Sequence, residues 1–207
     1  MNKKYALVDL EPNLSLGAGL AHGASDIVFA WTPIEIPTGA CMVKTITAVV
    51  TGTNGAAANT SDIQLYFARS INGVAPSSFG TEHAAVAAAT TVGFRKNLIG
   101  HIFLDASSVD DVDAVVSYNS WGVRSASGGD NMADGGLNST LIIQGDPAYP
   151  STKGYQTIWV AGLARSAFDF GTDVDLNMGS SAVVAADMTG ADVALTTSGT
   201  DPRIVFS

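Results

Sequence analysis

Charge is what this chain lacks most. Only 14% of its 207 residues are Asp, Glu, Lys or Arg, where about 25% is usual for a globular domain. A chain with so little charge to coat itself is expected to hide part of its surface in an assembly. Its ten basic residues are scattered, and only Lys3-Lys4 and Arg95-Lys96 are adjacent. With a net charge of −9, that scatter argues against broad nucleic-acid contact, which needs clustered Lys and Arg. Cysteine occurs once, as Cys41, so no intrachain disulfide framework exists. A lone Cys at a strand start reads as a small buried apolar residue. No apolar run approaches the roughly 18 residues of a membrane span. Near the N-terminus Asp9 and Glu11 arrive before a signal-type apolar core develops. Synthesis in a cytoplasm without a cleaved signal is therefore expected. Glutamate is scarce too: all but three of the 19 acids are Asp. Asp suits turns and caps and Glu suits helices, so with 22 glycines the pattern excludes a fold built on long helices.

What the chain does have is alternation. Side chains on a strand point to opposite faces in turn. In 155–165, one face carries Tyr155, Thr157, Trp159, Ala161 and Leu163, and the other Gln156, Ile158, Val160, Gly162 and Ala164. Both faces are apolar in the middle, which predicts a central strand covered on two sides. Residues 26–36 are rich in β-branched and aromatic types. Pro33 cannot donate to a ladder, so that strand lies at an edge or breaks there. Strands are also predicted at 41–51 and 62–69, joined across Asn54-Gly55 as a long-looped hairpin. Others fall at 98–104, 137–144 and 174–178, with weak ones near 181–186, 191–196 and 203–206. The Ala-rich stretch 81–89 reads as a short helix or as a loop packed on a neighbour. Ser108 and Asp111 fit a capping box, so a short helix or turn is predicted over 108–113, with a strand following. Residues 1–25 read as an N-terminal arm, with a short strand near 4–9 and Pro12, Gly17, Gly19 and Gly23 interrupting the rest. The sum is an all-β protein: an antiparallel two-sheet sandwich, jelly-roll-like, with long loops and few short helices. Its body spans 26–178. Residues 179–207 add strands to that domain or form a small appended element. Phe67-Ala-Arg69-Ser70 and Leu163-Ala-Arg165-Ser166 echo each other at two strand ends, which suggests that both strands leave at the same rim.

No sequence signature of catalysis appears. His22, His83 and His101 stand apart, outside any His-Glu-x-x-His pattern. No Gly-x-Ser-x-Gly elbow and no phosphate loop occurs. Aspartates gather at Asp105, Asp110, Asp111 and Asp113, at Asp130 and Asp134, and at Asp169, Asp173 and Asp175. Calcium needs six to eight oxygens, and Asp130-Asn-Met-Ala-Asp-Gly lacks the one-in-two spacing of an EF-hand loop with no Glu twelve positions on, so the clusters read as solvated turn aspartates. No carboxylate pair singles itself out for hydrolysis. The reading is of a non-enzyme with no cofactor and no metal. Of Trp31, Trp121 and Trp159, the first and last fall in strand candidates and read as core. Trp121 borders a Gly/Ser-rich loop and, with Tyr118, is the candidate for glycan contact.

Four stretches together resemble a known class. They are Pro33-Ile-Glu-Ile-Pro-Thr-Gly-Ala40, Asp62-Ile-Gln-Leu-Tyr-Phe-Ala-Arg-Ser-Ile-Asn-Gly73, Gln144-Gly-Asp-Pro147, and Ile158-Trp-Val-Ala-Gly-Leu-Ala with Phe168-Asp-Phe-Gly-Thr172. The class is the virion structural proteins of tailed bacteriophages of the capsid decoration, or cement, type. The resemblance covers roughly residues 30–178. It implies a β-sandwich or jelly roll, often a homotrimer, bound to the major capsid protein on the outer surface of the virion, and it brings no catalytic residue. On that reading the arm, through Lys3, Lys4, Tyr5 and Leu7, contacts the capsid lattice. The rival expectation is a tail or fibre module that binds a receptor glycan through Tyr118 and Trp121.

Overall fold

The computed structural model describes residues 6–8, 10, 22–52, 61–106, 109–112, 115–121, 141–167, 174–177 and 204–206. Eleven strands and one short helix fall among them: β1 (Ala6–Val8), β2 (Ile27–Pro37), β3 (Cys41–Gly52), β4 (Ile63–Arg69), α1 (Ala88–Phe94), β5 (Leu98–Leu104), β6 (Val109–Val112), β7 (Val115–Trp121), β8 (Ile142–Ile143), β9 (Tyr155–Ala164), β10 (Val174–Asn177) and β11 (Ile204–Phe206). They form two sheets in which every strand pair is antiparallel. The smaller runs β2-β9-β4-β5. The larger runs β1-β11-β3-β7-β6, with β8 and β10 also paired to β3. The protein is all-β, as its alternation predicts.

The smaller sheet shows how the faces are used. β9 sits between β2 and β4 and is buried along almost its whole length. Its Ile158, Val160 and Ala164 join Ile63, Leu65 and Phe67 of β4 and Ile34 and Ile36 of β2 in the main core. That core also takes Val43, Ile46 and Ala48 of β3, so it holds side chains of both sheets. The opposite face of β9 contributes Ala161 and Leu163 to a second cluster with Ile27, Phe79 and Phe94, against which Trp31 and Tyr66 pack. Trp31 meets Phe79 and Phe94 edge-on, with ring centroids 4.7 and 5.5 Å apart, the geometry aromatic quadrupoles favour. The segment between β4 and β5 supplies Phe79 and Phe94, and so lays a lid on a sheet face that would otherwise be wet.

Several local expectations meet the structure closely. β2 is the edge strand that Pro33 requires, and its register shifts between Ile27 and Phe29 and again before Thr32. Cys41 opens β3, buried, with Sγ 3.4 Å from the Pro37 carbonyl to which it donates. Burial pushes its thiol pKa up, away from reactivity. The Ala-rich stretch divides: residues 81–87 are loop, and the helix begins only at Ala88.

Four expectations are corrected. β3 and β4 are not a hairpin, because they lie in different sheets. Residues 109–112 are strand β6, paired with β7 in register Val109↔Tyr118 to Val112↔Val115. A capping-box helix would leave those backbone groups without the ladder, and the ladder prevails. β4 and β9 are antiparallel neighbours with Arg69 opposite Ile158 and Ile63 opposite Ala164, so Arg69 and Arg165 leave at opposite rims. The stretch read as an arm is tied in wherever it is described: β1 pairs with β11, Leu7 opposite Val205, Leu10 is fully buried in the main core, His22 is buried, and the Ser25 N–H donates to the Ala164 carbonyl at 2.8 Å. Predicted strands near 181–186 and 191–196, and residues 137–140, lie outside the described residues.

Candidate functional site

Three of the four stretches that carry the phage resemblance meet at one place in space. β4 ends at Arg69, and the chain turns through Ile71 and Val74, whose backbones exchange hydrogen bonds of 2.9 and 3.0 Å. Asn72 and Gly73, with φ of 52° and 76°, make the tight two-residue turn that Asn-Gly favours, since both centres need the left-handed region. Seventy-three residues on, Asp146 reaches back to this turn. Its Oδ2 accepts from the Gly73 N–H at 2.8 Å, and its Oδ1 from the Ala148 N–H at 2.9 Å. Asn97 fastens the strand end from the other side, donating Nδ2 to the Arg69 carbonyl at 2.8 Å. From β9, Trp159 donates Nε1 to the buried Ser70 hydroxyl at 3.1 Å. Tyr149 stands edge-on to Trp159, centroids 5.8 Å apart.

Between the 69–72 turn and the 144–147 loop lies a cleft of about 230 Å³, lined by Arg69, Ser70, Ile71, Asn72, Gln144, Gly145, Asp146 and Pro147. Its charges are one of each sign. The two backbone N–H groups hold the Asp146 carboxyl pKa below its ordinary value, with a smaller contribution from the nearby Arg69 guanidinium. Because the folded value is lowered, this tether contributes stability above the unfolded pKa of about 3.9 and loses it as pH falls through the folded one. The effect is small, since the carboxylate is largely solvated. A carbon-13 titration of the Asp146 carboxyl should show a midpoint below that of free Asp. A midpoint at or above the free value would show that the tether does not form in solution.

The other expected sites fall elsewhere. Lys3, Lys4 and Tyr5 lie outside the described residues, and Leu7 is on β1. Tyr118 and Trp121 are both on β7, facing register positions Ala48 and Thr45 of β3. Of the clustered aspartates, Asp110 and Asp111 are on β6 and Asp175 on β10. Asp113, Asp130, Asp134, Asp169 and Asp173 lie outside the described residues, as does the Phe168-to-Thr172 phrase. Asp26 and Asp62, like Asp146, accept backbone N–H groups, at 2.5 Å from Gly23 and 2.9 Å from Ala106. The Asp26 bond is the turn-holding work expected of Asp, while the Asp62 bond ties residues 44 apart. Among the described residues no three His, Cys, Asp or Glu side chains gather at metal-binding distance. His22 and His83 stack at 4.3 Å, a pair no sequence spacing announces.

Arg69, Asn72, Gln144 and Asp146 do not stand out as a site in the sequence. The one local signal was Asn72-Gly73, which marks a turn and not what the turn faces.

A second surface adjoins the lid. Residues 84–93 carry no charge, and most are exposed, with Val92 58% accessible. Arg95 and Lys96 follow, both exposed. Comparison with protein-family models, with curated proteins and with solved structures finds no match to this chain.

Proposed function

We propose that the chain is a structural protein of a tailed-phage virion, docked on the outer surface of the capsid and bridging capsomers. The observation that carries this reading is the uncharged exposed surface of residues 84–93, in a chain that has little charge anywhere. Such a surface suits binding by buried area, which needs no titrating group. The resemblance of the four stretches supports the same reading. A cement protein works by linkage: whatever binds the assembled lattice and not its separated parts stabilises the lattice. The proposed partners are the major capsid protein and two further copies of this chain, closed about a three-fold axis. Nucleic acid and membrane have no part in it.

Lys3, Lys4, Tyr5 and Leu7 are the proposed capsid contacts of the N-terminal segment. Since Leu10 is in the core and residues 6–8 are in the sheet, removing residues 1–20 would damage the fold, so the informative truncation removes only 1–5. Purified protein should bind emptied, expanded heads and raise their melting temperature. The 1–5 truncation should bind them more weakly while melting by itself at the temperature of the full chain. Unchanged head stability, with the protein located at the tail tip in virion images, would sink the proposal.

A further inference from the structure

The Arg69–Asp146 cleft has no role in the lattice reading, and its chemistry is specific enough to name a ligand class. Asp146 is locked by two backbone N–H groups and stays ionised, so it disfavours an anion. Arg69 is exposed beside it and disfavours a cation. A calcium ion would also have to compete with the Gly73 and Ala148 N–H groups for the same carboxylate oxygens. Opposite charges lining one cleft leave a site that offers donors and acceptors to something neutral. Asn72 and Gln144, both exposed at the cleft, each add one amide donor group and one carbonyl acceptor. A volume of about 230 Å³ is below the roughly 300–1,000 Å³ of clefts for drug-sized ligands. It matches one ring of a polyhydroxylated compound, whose vicinal hydroxyls donate and accept at once.

We propose that this cleft binds a neutral pyranose unit, with Arg69 and the amides of Asn72 and Gln144 donating to ring hydroxyls and Asp146 accepting from one. A shallow polar site of this kind binds a single sugar weakly, with a dissociation constant on the order of millimolar. Repetition of the site on a multicopy assembly would raise the avidity. The inference does not depend on the capsid reading, because the monomer contains the whole cleft.

The test is a nitrogen-15 NMR titration of the full chain with methyl α-D-glucopyranoside, methyl β-D-galactopyranoside and N-acetyl-D-glucosamine. At least one should shift the Gly73, Gly145 and Ala148 amides saturably. Arg69→Ala should weaken that binding tenfold or more, and Gln144→Ala severalfold. Lys153→Ala, an exposed change outside the cleft, should leave it unaltered. Arg69 and Gln144 are both exposed, so their variants should keep the wild-type amide spectrum elsewhere. No saturable shift with any of the three sugars overturns the proposal. So do shifts that survive Arg69→Ala, or a stronger response of these amides to sodium acetate or calcium chloride.

Discussion

Phe29→Ala should lower the unfolding free energy by about 3–5 kcal/mol, the usual cost of emptying a buried phenylalanine site. For a chain of this size each kcal/mol moves Tm by about 2–4 °C, so a fall on the order of 10 °C is expected in a thermal melt followed by circular dichroism. Phe29 is fully buried in the main core and stands opposite Gly162 in the β2–β9 ladder. A glycine has no side chain with which to collapse into the space left behind. The cavity therefore persists, and the loss should lie toward the upper end of the range. A loss below about 1 kcal/mol would mean that β2 does not pair with β9 in this register.

Gly162→Ala should destabilise by about 1–3 kcal/mol, for the opposite reason. A methyl group built on Gly162 runs into the Phe29 ring at its Cε1, Cδ1 and Cζ atoms. That ring is packed on all sides and cannot swing away, so overpacking strain results. An aromatic ring laid across a glycine on the neighbouring strand is a recurrent way of making good the missing side chain. The two positions share one volume, so their effects should not add. Gly162→Ala combined with Phe29→Leu should be more stable than the sum of the single losses allows, by about 0.5–3 kcal/mol. Additivity within about 0.5 kcal/mol in urea denaturation would show that the ring does not lie over the glycine.

Strand identity was legible wherever alternation was strong and local. Ile158, Val160 and Ala164 share the face of Gly162, and Ala161 and Leu163 the other, as reading every second residue of 155–165 predicts. The 98–104 strand carries the same bounds in sequence and structure. Legibility failed where two local signals competed. Residues 108–113 offer a capping box and a run of valines together, and only the partner strand β7 decides between them. The cleft was illegible for a related reason. Arg69 and Asn72 are a strand end and a turn, and Gln144 and Asp146 a loop, each unremarkable by itself. Their meeting depends on the bond from the Gly73 N–H to Asp146, formed across 73 residues.

By itself the sequence determined that this protein is β-rich and sparsely charged, without a disulfide framework, and that the chain of 155–165 is covered on both faces. Those properties follow from composition and from a period of two residues, which any short window contains. Tertiary structure alone decided which strands are neighbours: that β3 and β4 part into different sheets, that β9 lies between β2 and β4, and that Leu10 enters the core. Pairing is chosen by contacts between residues far apart in the chain. No local window holds both partners.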